Sequence, residues 1–156
     1  HYAEYEGRPE EERPYISLRC DEKVTVDALV EIIDLTREQK YKMVLVSNFY
    51  GNIRTILEDF DLLCYFEQVI ESSVVGVRKP DPAIFALGVE ALDLSPEQVA
   101  VVGDSYTKDI LPAHSLGCHT VWLKGIGWEP EEHDETLPSA VIGSLEEVIE
   151  VVEGLF

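Results

Sequence analysis

The chain lacks long apolar runs and closely spaced cysteines. No stretch of about 18 consecutive apolar residues occurs, so the sequence predicts no membrane-spanning helix. The three cysteines, Cys20, Cys64 and Cys118, are far apart and form no CxxC pair. This spacing argues against a zinc site or a disulfide framework, and it favours a reducing, cytoplasmic compartment. The polar, acidic N-terminal residues lack the apolar segment of a signal peptide.

Positive charge is also scarce. The 156 residues include 12 Lys and Arg against 31 Asp and Glu, which gives a formal net charge of −19. A nucleic-acid-binding surface needs clustered Lys and Arg, so the composition argues against that class of function. An anionic substrate would have to be held by local positive charge from a cation, a lysine or backbone N–H groups. The length corresponds to about one domain.

Apolar segments with two different periods alternate along the chain. Short apolar runs predict strands in KMVLVSN, FEQVIES, VAVVGD and CHTVWL. Helical periodicity appears from Thr25 to about Lys40, and again in GNIRTILEDF, KPDPAIFALGVEALDL, DILPAHSLG and SLEEVIEVVEG. The alternation predicts a three-layer α/β fold with a parallel, Rossmann-like sheet. In such sheets ligands bind at the carboxyl ends of the strands.

Local signals predict where several helices begin and end. Asp81 is a candidate cap, with Pro82 at the first helical position. SPEQ, at residues 95–98, is a capping-box pattern before the strand VAVVGD. Gly117 is the expected C-terminal cap of the helix in DILPAHSLG. The segment GIGWEPEEHDETLPSA is predicted to be a loop.

Polar side chains follow successive predicted strands. Ser47 and Asn48 end the first, Glu71 and Ser72 end the second before Lys79, and Asp104 ends the third with Asp109 close behind. A hydroxyl, an ammonium and a carboxylate pair suit a phosphate group and Mg²⁺, which prefers carboxylate oxygens. Taken singly, these residues are also typical of turns, of solvated loops and, for Asp109, of a helix cap. Their order at consecutive strand ends favours a binding site.

Three of these segments resemble motifs of the haloacid dehalogenase-like hydrolases. VLVSN, GVRKPDPAIF and VVGDSYTKDI are similar to the second, third and fourth motifs of that superfamily. The resemblance extends from about Thr25 to the C-terminus. It implies a phosphatase-branch member that hydrolyses a small phosphorylated metabolite, depends on Mg²⁺ and forms an aspartyl-phosphate intermediate.

The resemblance also implies roles for individual residues. Ser47, Lys79 and Asp104 would be catalytic, and Ser47, Asn48 and Lys79 would bind the phosphoryl group, with Asn48 acting through its backbone. Asp104 and Asp109 would form the metal site. Asp109 would lie in the outer coordination sphere of the ion or orient Lys79.

One family motif, a DxD that supplies the nucleophilic aspartate, is missing before Ser47. The letters Asp59-Phe60-Asp61 match, but they follow a helical segment rather than a strand. We therefore expect the nucleophile and its central strand upstream of His1. Residues 1–22 are then the remnant of a cap or linker, and residues 23–156 form a core that lacks its first strand. We expect that strand between the second-motif strand and the third- and fourth-motif strand, where its loss would leave a gap or an exposed edge.

Other functions compete with this interpretation. A non-enzymatic family member could bind a phosphorylated ligand without turnover. A two-component receiver domain is disfavoured because the strand that should end in its phosphoacceptor aspartate ends in Ser47. No GxGxxG follows a strand, which disfavours a nicotinamide enzyme. The Asp104/Asp109 pair favours a phosphatase over a dehalogenase, while phosphonate hydrolases and phosphomutases stay open. Four further residues are expected to have packing or structural roles: Trp122, Trp128, His114 and His119.

Overall fold

A computed structural model describes residue 38, residues 41–125 and residues 132–156. This part of the chain contains two parallel sheets. The first pairs β1 (Val44–Ser47) with β2 (Gln68–Glu71). The second has the order β3 (Ala100–Gly103), β4 (His119–Leu123) and β5 (Ala140–Ile142). The predicted cap remnant at residues 1–22, and nearly all of the helix predicted from Thr25 to Lys40, lie outside the described residues.

Helices follow β1, β2, β3 and β5, as the alternating pattern predicted. They are α1 (Ile53–Asp59), α2 (Ser72–Val75), α3 (Ala83–Leu92), α4 (Leu111–Ser115) and α5 (Val148–Leu155). A π-helical turn, Tyr106–Ile110, leads directly into α4, and 3₁₀ turns form at Leu63–Tyr65, Pro96–Gln98 and Leu145–Glu147. None of the helices in the described ranges has the length and apolar character needed to cross a membrane.

Alternate residues of the first sheet pack against helices on opposite faces. Val44 and Val46 of β1 join the core cluster that contains α3, while Leu45 packs with Leu57 of α1. This is the period of two expected for a strand. The α3 cluster also contains Val99, before β3, and residues of α4, so one core connects the two sheets. Helices on both faces confirm the predicted three-layer α/β architecture.

Gly88 sets the close packing of α3 on β1. It is buried, and a Cβ atom placed on it would lie 3.1 Å from Val46 Cγ2. That distance is shorter than ordinary van der Waals contact between carbon atoms. The missing side chain therefore lets the helix backbone approach the sheet, which compensates for the poor helix propensity of glycine.

Each sheet has an edge without a strand partner in the described part of the chain. β1 pairs only with β2, and β3 only with β4. The four residues of β1 are consequently half-buried, not fully buried as predicted, and Val102 of β3 is 39% exposed. This leaves backbone hydrogen-bonding groups of both strands available for a further strand. The identity of such a strand stays a prediction.

Some of the predicted helix caps and loop boundaries are confirmed, and others are wrong. The capping boxes at Ser95 and Ser144 are present, and Gly117 follows α4 with φ +89°. Asp81 Oδ1 accepts a hydrogen bond from the Ala83 N–H at 2.9 Å, although the helix begins at Ala83, after Pro82. The loop predicted through residue 140 was wrong at its end, because Ala140 begins β5. Three residues are too few for a strand period to be recognised.

Candidate active site

The loop after β1 is joined to the segment before α3 through Asn48. Its Nδ2 donates to the Lys79 carbonyl at 3.0 Å, and its Oδ1 accepts from the Lys79 N–H at 2.8 Å. This closed pair of hydrogen bonds fixes the backbone of Lys79 relative to the end of β1. The sequence predicted a backbone role for Asn48; the structure adds this side-chain role.

The Lys79 side chain extends to Asp109. Its Nζ lies 2.6 Å from Asp109 Oδ1, and the two side chains are 17% and 6% exposed. The ammonium also lies 5.5 Å from the centroid of the Phe85 ring, within the range of a cation–π contact. These partners hold one positive charge near the carboxyl end of β3.

The π-helical turn explains how Asp109 reaches this position. The Ile110 N–H donates to the Ser105 carbonyl, five residues back, at 3.3 Å. The interpretation of Asp109 as a helix cap is wrong, because it lies inside the turn and Ser105 is the cap. Asp109 Oδ2 accepts from the Ser105 N–H at 3.1 Å, so both carboxylate oxygens are hydrogen-bonded.

The close approach of Asp109 to β3 requires a glycine at residue 103. A Cβ atom at this residue would lie 2.4 Å from Asp109 Cβ, a distance that no pair of side chains tolerates. The glycine that ends β3 therefore makes room for the carboxylate that holds Lys79. The sequence GDSYTKD places both residues, but the contact between them was not predicted.

Asp104 presents its carboxylate to solvent. It is exposed, and its carboxylate has no hydrogen-bond or ion-pair partner among the described residues. Its backbone carbonyl accepts from Trp122 Nε1 at 3.1 Å. Trp122 is buried and contacts the edge of the Tyr106 ring, with centroids 5.1 Å apart. This confirms the packing role predicted for Trp122, whereas Trp128 lies outside the described residues.

The Tyr106 phenol strengthens the support below Asp104. It donates to the Asp134 carbonyl at 2.9 Å, and burial raises the pKa of Tyr106, with the Asp134 charge adding to the effect. The phenol therefore stays protonated as a donor. The ring of His133 stacks on it with centroids 4.3 Å apart. An aromatic layer thus fixes the turn that carries both acids.

Two residues at the end of β2 support the loop after Ser47. Glu71 is 3% exposed, is in register with Ser47, and accepts a hydrogen bond from the Gly51 N–H. The Ser72 hydroxyl accepts from the Phe49 N–H at 3.2 Å. The Ser47 hydroxyl makes no hydrogen bond to another protein group within the ranges that the structure describes. The sequence placed Glu71 and Ser72 at a strand end without assigning them this role.

The predicted site residues therefore meet at one end of the fold. A continuous set of hydrogen bonds runs from Asn48 through Lys79 and Asp109 to Ser105. Ser47 and Asp104 are the chain neighbours of its two ends. The DxD letters at residues 59–61 are elsewhere: Asp59 ends α1 and Asp61 has φ 55° in the following turn. As predicted, they do not follow a strand.

Comparison with known proteins identifies the family of this chain. Residues 4–117 match the family described as haloacid dehalogenase-like hydrolase. The chain belongs to the haloacid dehalogenase-like hydrolases. A HAD phosphatase from Thermococcus onnurineus superposes with a TM-score of 0.70 at 28% identity, over 80% of this chain and 56% of that one. This confirms the predicted resemblance and fold, and it overturns the receiver and nicotinamide alternatives.

Curated relatives in this family include named phosphatases. A phosphoserine phosphatase from Thermus thermophilus is 38% identical over 113 residues, 72% of this chain and 45% of that protein. A glyceraldehyde 3-phosphate phosphatase from Pyrococcus furiosus is 36% identical over 102 residues, 65% of this chain and 40% of that protein. The chain spans less than half the length of these two relatives.

The acids of this haloacid dehalogenase-like hydrolase fit a Mg²⁺ ion that takes part of its ligands from elsewhere. No group of three or more His, Cys, Asp or Glu side chains that could hold a metal occurs within the described residues. Mg²⁺ is usually bound through one or two carboxylates, with waters and substrate phosphate completing its octahedron. Asp104 offers such a carboxylate. Asp109, whose oxygens already bind Lys79 and Ser105, suits the outer coordination sphere.

Proposed function

We propose that this protein is a Mg²⁺-dependent phosphatase of small phosphorylated metabolites that works through an aspartyl-phosphate intermediate. The observation that carries the proposal is the largely buried Lys79–Asp109 pair, which hydrogen bonds join to Asn48 and Ser105, the chain neighbours of Ser47 and of the exposed Asp104. Phosphoryl transfer requires positioning and neutralisation of negative charge more than covalent chemistry. The relatives that are named phosphatases support the same class of reaction.

Each residue would act on a different part of the phosphoryl group. The Ser47 hydroxyl and the backbone N–H groups of the following loop would donate hydrogen bonds to its oxygens. Lys79 would neutralise those oxygens as a compact positive charge. Because Asn48 and Asp109 hold the two ends of this lysine, its charge needs little reorganisation during the reaction.

Asp104 would bind Mg²⁺ directly, and Asp109 would support the site from the outer sphere. When bound, the ion supplies further charge neutralisation at the phosphoryl oxygens. Trp122 donates a hydrogen bond to the backbone carbonyl of Asp104, and this contact fixes the backbone from which the carboxylate side chain extends.

The nucleophile would be an aspartate on a strand supplied from upstream of His1. Among the described residues, one edge of β1 and one edge of β3 have no strand partner, so their backbone groups could pair with such a strand. Parallel pairing would bring its carboxyl end to the same side as Ser47 and Lys79. The aspartate oxygen would form a bond to phosphorus as the bond to the leaving oxygen breaks, and water would then cleave the acyl phosphate.

The test uses the full-length gene product and p-nitrophenyl phosphate. We expect hydrolysis with MgCl₂, and a loss of about 100-fold or more in kcat for Asp104→Asn, the scale of removing one electrostatic contact to a transition state. Asp93→Asn is the matched control, because Asp93 is exposed and has φ 56°, a conformation that Asn tolerates. Wild-type rates in Asp104→Asn, or full activity in EDTA, would refute the metal role.

Binding and hydrolysis measurements on the same full-length protein distinguish a phosphatase from a protein that binds phosphate without turnover. In the described part of the chain no DxD follows a strand, which is the observation that favours the second function. Calorimetric binding of phosphate with MgCl₂, together with no hydrolysis by the full-length product, would establish a non-catalytic family member instead.

A further inference from the structure

A pocket of about 360 Å³ adjoins the candidate active site. It lies between the loop that follows β1 and the segment from α2 to Lys79. Asn48, Tyr50, Ser72, Ser73 and Arg78 contribute to its lining. Its volume falls in the range of about 300–1,000 Å³ that is typical of small-molecule sites.

The lining of this pocket differs in charge from the molecule as a whole. Eight residues in the described part of the chain line it, of which none is acidic and one, Arg78, is positively charged. In the complete chain 31 of 156 residues are Asp or Glu, and the net charge is −19. The pocket is therefore a local exception at which an anion would meet a guanidinium without a neighbouring carboxylate in its wall.

Asn48 and Ser72 already donate to the Lys79 and Phe49 carbonyls. Three other lining residues can donate hydrogen bonds to an anion. Arg78 is exposed, and its planar guanidinium can donate two parallel hydrogen bonds to a carboxylate or a phosphate. Ser73 is exposed on the same wall. Tyr50, which is 91% exposed, adds an aromatic face and a hydroxyl. The pocket thus combines apolar surface with a few donors, as ligand sites do.

Arg78 is held in a defined relation to the catalytic lysine. It immediately precedes Lys79, whose N–H and carbonyl are both hydrogen-bonded to the Asn48 side chain. Asn48 also lines the pocket. One anchored segment therefore presents two cations, one within the network that contains Asp109 and one in the pocket beside it.

We propose that this pocket binds a second anionic group, a carboxylate or a second phosphate, on the leaving-group part of the substrate. Arg78 would be the residue that selects such substrates. The inference rests on the proposed phosphatase function, and it adds the class of substrate that the site prefers: small phosphate esters that carry a further negative charge.

Three esters of similar size test the proposal in the full-length protein. Glycerol 3-phosphate has a neutral remainder, 3-phosphoglycerate carries a carboxylate, and propane-1,3-diyl bisphosphate carries a second phosphate. We expect kcat/KM to be about 10- to 100-fold higher for one or both of the esters with an anionic remainder than for glycerol 3-phosphate, the scale of one charge-assisted contact. Which ester gains identifies the preferred anion.

Arg78→Gln should remove this preference. The ratio of kcat/KM values should fall to within about twofold of one, chiefly through KM, because the contact is made equally in the bound substrate and the transition state. Hydrolysis of glycerol 3-phosphate should change little. The matched control is Arg54→Gln on α1, an exposed arginine that does not line the pocket and should keep the preference.

The outcomes distinguish the two proposals. An equal ratio of kcat/KM values in the wild type and Arg78→Gln would overturn the anion pocket and leave the phosphatase function intact. Failure of the wild type to hydrolyse any of the three esters, or p-nitrophenyl phosphate, would overturn both.

Discussion

At the residue scale, the Lys79–Asp109 pair should contribute to stability as well as to the site. Removing one partner of a buried ion pair costs about 3–5 kcal/mol, because the other charge is left unpaired. The Lys79 side chain is 17% exposed, so some solvation remains. We expect Asp109→Asn to lower the free energy of unfolding by about 2–3 kcal/mol, measured by urea denaturation.

The exposed pair Lys124–Glu135 provides the control, with side chains 50% and 51% exposed. Exposed ion pairs contribute about 0–1 kcal/mol, so Glu135→Gln should change the free energy of unfolding by less than about 1 kcal/mol. Equal effects of the two variants would mean that the Lys79 charge is solvated without its partner.

The sequence predicted candidate site residues, but only in part how they hold one another. Ser47, Lys79, Asp104 and Asp109 were recognised because each follows a strand or belongs to a family motif. The contacts of Asn48 with Lys79 and of Lys79 with Asp109 span 31 and 30 residues. Contacts at such separations leave no periodic trace in the sequence. The family resemblance implied that Asp109 could orient Lys79, whereas the contact of the Asn48 side chain came only from the coordinates.

At the element scale, the packing of α3 on β1 depends on the missing side chain at Gly88. Gly-to-Ala substitution inside a helix normally stabilises it by up to about 1 kcal/mol. At Gly88 the new methyl would lie 3.1 Å from Val46 Cγ2. We expect Gly88→Ala to lose this gain or to destabilise the protein, and Gly88→Val to cost about 1–3 kcal/mol by overpacking, measured by urea denaturation.

Gly154 in α5 offers the same substitution without the contact, because a Cβ there meets nothing within 4 Å. Gly154→Ala should be neutral or slightly stabilising, and the difference between the two alanine variants isolates the helix–sheet contact. A Gly88→Ala protein as stable as Gly154→Ala would show that α3 shifts away from β1 at no cost.

Elements with strong local signals were predicted well, and those defined by their neighbours were not. β1, β3 and β4 lie in apolar runs, and the 3₁₀ turn that leads into α5 carries the capping box of Ser144 and Glu147. β5 has three residues, and its identity as a strand comes from pairing with β4. The π-helical turn before α4 likewise depends on the fit of Asp109 against Gly103, which no window of sequence displays.

At the scale of the whole molecule, the predicted site places positive charge inside a strongly negative protein. Lys79 and Arg78 lie on one short segment of a chain with 12 basic and 31 acidic residues. The surrounding field repels a free anion, so recognition of phosphate must come from short-range contacts. A charged substrate should therefore associate by local donors and not by long-range steering.

The same imbalance makes a prediction about stability. With 31 acidic against 12 basic residues, we expect like-charge repulsion to outweigh the attraction between surface pairs and to oppose the compact state. The Debye length falls from about 30 Å at 0.01 M to about 8 Å at 0.15 M ionic strength, which removes most repulsion between exposed charges. We expect NaCl over this range to raise Tm by about 2–4 °C, equivalent to roughly 1 kcal/mol for a protein of this size, measured by thermal unfolding.

Sorbitol at matched osmolality controls for solvent exclusion and should raise Tm by less than the salt does. A Tm that stays constant or falls as NaCl is added would mean that attractive pairs such as Lys124–Glu135, each contributing about 0–1 kcal/mol, balance the repulsion of the whole chain.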